Sequence, residues 1–139
     1  MTGRYMRNSS QQGITLIELM ITLVIIAILA SMALPSYRQQ VLRANRAAAK
    51  EAMLDIANRQ QHFLLAHRRY ADKSMLEATG YTLPGEVSSH YTWSLGPIDG
   101  MVSRPSFEIT FTPIGSQSSD GSITLDSQGR KAPAEKWSR

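Results

Sequence analysis

The chain has 139 residues and no cysteine, with 15 lysines and arginines against 11 aspartates and glutamates, a formal charge of +4. That length fits one domain, and the missing thiols exclude a disulfide framework and any thiolate metal site. Two of the basic residues, Arg4 and Arg7, precede an apolar run. Without them the balance falls to 13 against 11, so the composition implies no general affinity for nucleic acid.

The first twelve residues, MTGRYMRNSSQQ, are polar and contain no acid. Basic residues ahead of a membrane span hold that end in the cytoplasm. Residues 13–34 read GITLIELMITLVIIAILASMAL, a glycine followed by an apolar run with one charge, Glu18. At 1.5 Å per residue, residues 14–34 cross a ~30 Å hydrocarbon core, so the far side is periplasmic or extracellular. A carboxylate there costs roughly 2.5–3.5 kcal/mol on insertion scales and persists where something pairs with it. A secretory signal peptide is the alternative: it needs an apolar stretch of about 7–15 residues followed by a small-residue cleavage site. Here the run is longer and Gly13 precedes it, although Ala30-Ser31-Met32-Ala33 has the composition of such a site.

After Pro35, residues 36–69 contain no glycine and no further proline, and strong helix formers dominate. Met53, Ile56, Ala57, Gln60, Phe63, Leu64 and His67 recur at three- and four-residue spacing and mark one mainly apolar face. Tyr37, Val41, Ala44, Ala48 and Ala52 lie along a second stripe. The pattern predicts a helix continuing through Pro35 to about Arg69, some 55 residues and about 80 Å long. Pro35 removes the bond to the Ser31 carbonyl and marks a kink. Two apolar faces imply packing beyond the chain's own domain, toward self-association.

Residues 70–89 read as a loop with one helical turn near Met75–Ala78. His90–Leu95 has strand character, GPIDG at 96–100 is a turn, and Ser106–Pro113 alternates cleanly. Residues 114–121 form a Gly/Ser-rich turn and Ser122–Asp126 a third strand, with Gln128-Gly129 turning again before the tail KAPAEKWSR. The expected fold is α+β: a long N-terminal helix packed on a three- to four-stranded antiparallel sheet that needs cover on one face.

Gly13-Ile14-Thr15-Leu16-Ile17-Glu18-Leu19-Met20 resembles the class III signal of type IV pilins, usually G|FTLIELM. The resemblance implies that residues 1–13 are a leader cut by prepilin peptidase between Gly13 and Ile14, and that Ile14 is then N-methylated. It implies a transmembrane and filament-core helix over 14–35 and a periplasmic globular domain over 36–139. Pro35 falls on the family's helix proline, and isoleucine stands where phenylalanine is commonest. Glycine suits a cleavage site because no side chain keeps the protease from the backbone. In the assembled filament the resemblance implies that Glu18 meets the Ile14 amine of a neighbouring subunit.

Tyr70-Ala71-Asp72, Gly80-Tyr81 and Ser122-Ile123-Thr124-Leu125-Asp126 with Gly129 and Lys131 look like the PilE-like minor pilins. Those usually carry two cysteines where this chain has Asp120 and Lys136, so the loop-closing disulfide cannot form. An Asp120–Lys136 ion pair is one reading, worth ~0–1 kcal/mol against ~2–4 for a disulfide. Two unrelated solvated charges are the other.

The implied function is that of a structural subunit, not an enzyme: a minor component of a type IV pilus, supporting twitching motility, adhesion or DNA uptake. Its implied partners are other pilin subunits, prepilin peptidase, the inner-membrane assembly platform and the lipid bilayer. Its implied location is the inner membrane of a Gram-negative cell, in a single pass with the N-terminus cytoplasmic, and then the extracellular filament. The alternative is a type II secretion pseudopilin, whose major subunit tends to carry an acidic calcium loop where this tail is basic. No cofactor or metal is implied: His62 and His67 do not share a helix face, and His90 stands alone. Arg38, Arg43, Arg46, Lys50, Arg59, Arg68 and Arg69 make the helix basic, which fits solvated faces and subunit contacts, with DNA capture as the rarer use. Trp93 and Trp137 read as packing residues.

Overall fold

The computed structural model describes residues 13–96 and 105–138, so the leader and the turn expected at 96–100 fall almost wholly outside the described residues. Helix α1 runs Leu16–His67 with Pro35 inside it. The chain divides into two compact units, one up to Arg38 and one from Gln39 onward.

In the first unit every described residue is exposed. Its apolar stretch is the one among the described residues that is long and apolar enough to cross a membrane. Leu16, Ile21, Val24, Ile28 and Leu34 all stand more than half exposed. So much contiguous apolar surface does not stay in water; it marks a membrane or protein contact.

The second unit has its own core. Short helices α2 (Lys73–Ala78) and α3 (Gly85–Ser88) follow α1. Four strands come next in antiparallel order: β1 (Tyr91–Gly96), β2 (Glu108–Pro113), β3 (Ile123–Asp126) and β4 (Lys131–Ala132). A 3-10 turn, Gly115–Asp120, links β2 to β3, and α4 (Ala134–Trp137) follows β4. The register places Trp93 opposite Phe111 and Phe111 opposite Ile123, so one sheet face carries Tyr91, Ile109, Phe111, Ile123 and Leu125. Ala49, Ala52, Met53 and Ile56 of α1 complete that core. Alanines at 49 and 52 let the helix approach the sheet closely, while Met53 and Ile56 fill the space between.

The predicted helix face is observed at Met53, Ile56 and Gln60, but His67 is exposed and Tyr37 belongs to the uncovered stretch. Gln60 is buried without penalty because its amide donates to the Ala71 carbonyl (2.7 Å) and accepts from the Ala71 N–H (2.9 Å). That exchange fixes the chain as it leaves α1. Asp72 then caps α2 through the Met75 N–H at 2.8 Å. Asp126 closes the β3–β4 turn by accepting from the Gln128 and Arg130 N–H groups (both 2.9 Å) and from Arg130 Nε (2.6 Å). Two short helices, α3 and α4, were not expected, and β4 is the fourth strand of the three- to four-stranded sheet that was. Trp93 and Trp137 both pack against the core, partly buried.

Candidate functional site

Two regions carry functional chemistry. The first is the start of α1. Thr15 sits immediately before the helix, and its hydroxyl accepts from the Glu18 N–H at 3.3 Å. Thr-x-x-Glu is the spacing of a capping box, in which a threonine satisfies an orphan donor of the first turn. Thr22 donates to the Glu18 carbonyl at 2.8 Å. Gly13, Ile14 and Glu18 are all exposed, with the Ile14 side chain at 73%. Pro35 lies within α1, where it has no N–H to offer the Ser31 carbonyl.

The second region is a cleft of about 500 Å³ lined by Arg43, Arg46, Ala47 and Lys50 of α1 and by Glu135, Lys136 and Ser138 of the tail. Lys50 and Lys131 approach the Trp137 ring, 5.5 and 5.1 Å from its centroid. The indole's negative face holds ammonium groups there. Burial lowers the pKa of Lys50, and the nearby Arg46 charge lowers it further. Four cations, Arg43, Arg46, Lys50 and Lys136, therefore line the cleft with one carboxylate, Glu135.

The expected Asp120–Lys136 ion pair does not form. Asp120 is taken by Arg46 in a two-pronged ion pair, with Arg46 Nε 2.8 Å from Asp120 Oδ2 and Arg46 Nη2 on Oδ1. Tyr91 donates its hydroxyl proton to Asp120 Oδ2 at 3.0 Å, and Gln117 Nε2 adds a bond at 3.2 Å. Gln117 also donates to the Leu42 carbonyl and accepts from Asn45, tying the 3-10 turn to α1. Lys136 has no ion pair with Asp120, although its charge helps keep the carboxylate ionised. It crosses behind Gly121 instead: a Cβ there would meet Lys136 Nζ at 2.8 Å, and the glycine's φ of +75° also suits glycine alone. Burial pushes the Tyr91 phenol up to about 12.

Sequence reasoning missed the partner of Asp120 because Arg46 lies 74 residues away. Among the described residues no group of three histidines, aspartates or glutamates is placed to hold a metal ion.

Comparison with known proteins adds three findings. A family model described as "Type IV minor pilin ComP, DNA uptake sequence receptor" matches residues 35–125. The prokaryotic N-terminal methylation motif matches residues 8–34. A solved type IV pilin from Shewanella oneidensis superposes with a TM-score of 0.53 at 21% identity, over 70% of this chain and 99% of that one, which shows a shared fold. The chain has no significant match among curated proteins.

Proposed function

This chain belongs to the ComP family of type IV minor pilins, and on that premise we propose that it is a minor pilus subunit, cut between Gly13 and Ile14 and assembled through its N-terminal helix. Type IV pilins are structural proteins rather than enzymes. In this reading residues 1–13 are the leader, 14–35 the membrane and filament-core helix, and 36–139 the periplasmic domain. Prepilin peptidase removes the leader at the cytoplasmic face of a Gram-negative inner membrane and methylates Ile14. The assembly platform then delivers the subunit to a filament used for twitching, adhesion or DNA uptake.

One observation carries the reading. The first half of α1 exposes its whole apolar surface around a single carboxylate, Glu18. Such a surface is covered by lipid before assembly and by neighbouring helices afterwards. The family model extends well beyond the signal that pseudopilins share, which supports a pilus over a secretion pseudopilus. Mass spectrometry of the native protein tests processing: a mature chain beginning at N-methylated Ile14 is expected, and an intact Met1 in cells with active peptidase would overturn it.

The basic cleft favours a second role, capture of double-stranded DNA through its phosphates. About three uncompensated cations there predict that log K falls against log salt with a slope near −3. Lys50→Ala should weaken binding to all sequences alike and reduce that slope by about one. Filter binding across a salt series reads both, and an unchanged slope sinks the assignment to this cleft.

A further inference from the structure

We propose that an acidic cleft on the other flank of α1 receives the basic cleft of a second copy of this chain. The inference rests on the subunit reading above and identifies the surface through which the periplasmic domains meet.

The acidic cleft encloses about 390 Å³ and is lined by Glu51, Asp55 and Arg59 of α1 and by Tyr81 and Glu86. Glu51, Asp55 and Glu86 are exposed. Arg59, the one cation in the lining, is tied to Asp55 at 2.9 Å and stacks 5.0 Å from the Tyr81 ring centroid. Tyr81 is only 4% exposed, and its hydroxyl has no hydrogen-bond partner among the described residues. The cleft therefore offers exposed carboxylates, suited to an ammonium or guanidinium donor.

That donor is available on the same chain. Arg43, Ala47 and Lys50 occupy one sector of α1, and Glu51 and Asp55 lie roughly a quarter turn around the helix. The exposed side of α1 thus separates two clefts of opposite sign. Two copies anchored in one membrane have parallel helices. A two-fold axis along the membrane normal would leave each charge at its own height, away from its complement. Shifting one copy by five to eight residues, about 8–12 Å, brings Lys50 opposite Asp55 and Arg43 opposite Glu51. The Ile14 amine and Glu18 need a shift in the same direction. A contact of this kind joins different patches, so it is open-ended and does not close as a symmetric dimer. It also covers the basic cleft on every copy that has a neighbour on that side, so a second copy and DNA compete for it.

The absence of native cysteine allows a clean test in the full-length chain. One copy carries Ala47→Cys beside the basic cleft and a co-expressed copy carries Thr82→Cys beside the acidic one, and membranes are treated with a short bismaleimide. A covalent dimer is expected, absent when Thr112→Cys on the sheet replaces Thr82→Cys. Lys50→Glu in the first copy should reduce it about tenfold, and Asp55→Lys in the second should restore it; tenfold corresponds to about 1.4 kcal/mol. Cross-linking unaffected by Lys50→Glu overturns the proposal, as does an adduct of Thr82→Cys with a different protein. If the chain enters filaments without this cross-link, the inference fails and the subunit reading stands. If Met1 is retained, the subunit reading fails, and the membrane cross-link alone decides the inference.

Discussion

On the proposed reading, Glu18→Ala should leave the chain cut and membrane-bound but keep it out of filaments. The two effects have opposite signs. In a lone subunit Glu18 is a carboxylate in an apolar segment, exposed like every residue around it. Replacing it removes an insertion cost of roughly 2.5–3.5 kcal/mol, so the variant sits in the bilayer at least as well as the natural chain. In the proposed processing, cleavage after Gly13 would create an amine at Ile14, and assembly would bury that amine among apolar side chains. With the carboxylate gone, the amine has no counter-charge, and leaving one partner of a buried pair alone costs about 3–5 kcal/mol. That corresponds to at least about a hundredfold loss of incorporation. Glu18→Gln should fail in the same way, while Glu18→Asp retains part of the effect through a shorter carboxylate. Immunoblots of sheared filaments against membranes measure the ratio, and normal incorporation of Glu18→Ala would refute the pairing.

The elements legible in the sequence were those whose pattern is local and long. A glycine-free stretch with apolar spacing of three and four announced α1, and clean alternation announced β2. The T-x-x-E step at the start of α1 was equally readable, since Thr15 and Glu18 are three residues apart. The short elements were not. β4 has two residues and α4 has four, too few to show a period. They form because β3 supplies a pairing edge and because Trp137 packs on the core. Asp120 illustrates the same limit at a site. Its position on a polar turn reads as solvated, yet the turn folds against α1 and buries it. What the sequence did hold was the placement of charge around α1, because Arg43, Lys50, Glu51 and Asp55 sit on one helix whose period is known.

Arg46→Met should destabilise the unit from Gln39 onward by about 3–5 kcal/mol and invert its response to mild acid. The Asp120 side chain is 4% exposed, and Arg46 is 22% exposed. Burial pushes the Asp120 carboxyl up, but the Arg46 bonds, the Tyr91 hydroxyl and the Arg46 charge together hold it below the usual carboxylate range. A carboxylate depressed in the folded state stabilises above its unfolded value, near pH 4, and that contribution is lost as pH falls through the depressed folded value. Asp126, also depressed against its own burial by bonds to Arg130 and Gln128, acts in the same direction. The natural domain should therefore hold its stability from neutrality down to about pH 4 and lose it below. Without Arg46, burial of Asp120 is opposed by Tyr91, Gln117 and the more distant Lys136 charge, and the buried carboxylate is left without an ion-pair partner, which accounts for the size of the loss. Its carboxyl then rises above the unfolded value. A group raised in the folded state stabilises at low pH and loses that contribution as pH climbs through the folded value. The variant should regain stability on acidification from neutrality toward about pH 4, where the natural domain is flat. Adding Asp120→Asn should recover part of the loss at neutral pH and abolish the inverted slope. Urea unfolding of the segment from Ser36 onward, across that pH range, distinguishes the outcomes. A variant whose stability runs parallel to the natural domain at every pH would show that Arg46 contributes packing alone.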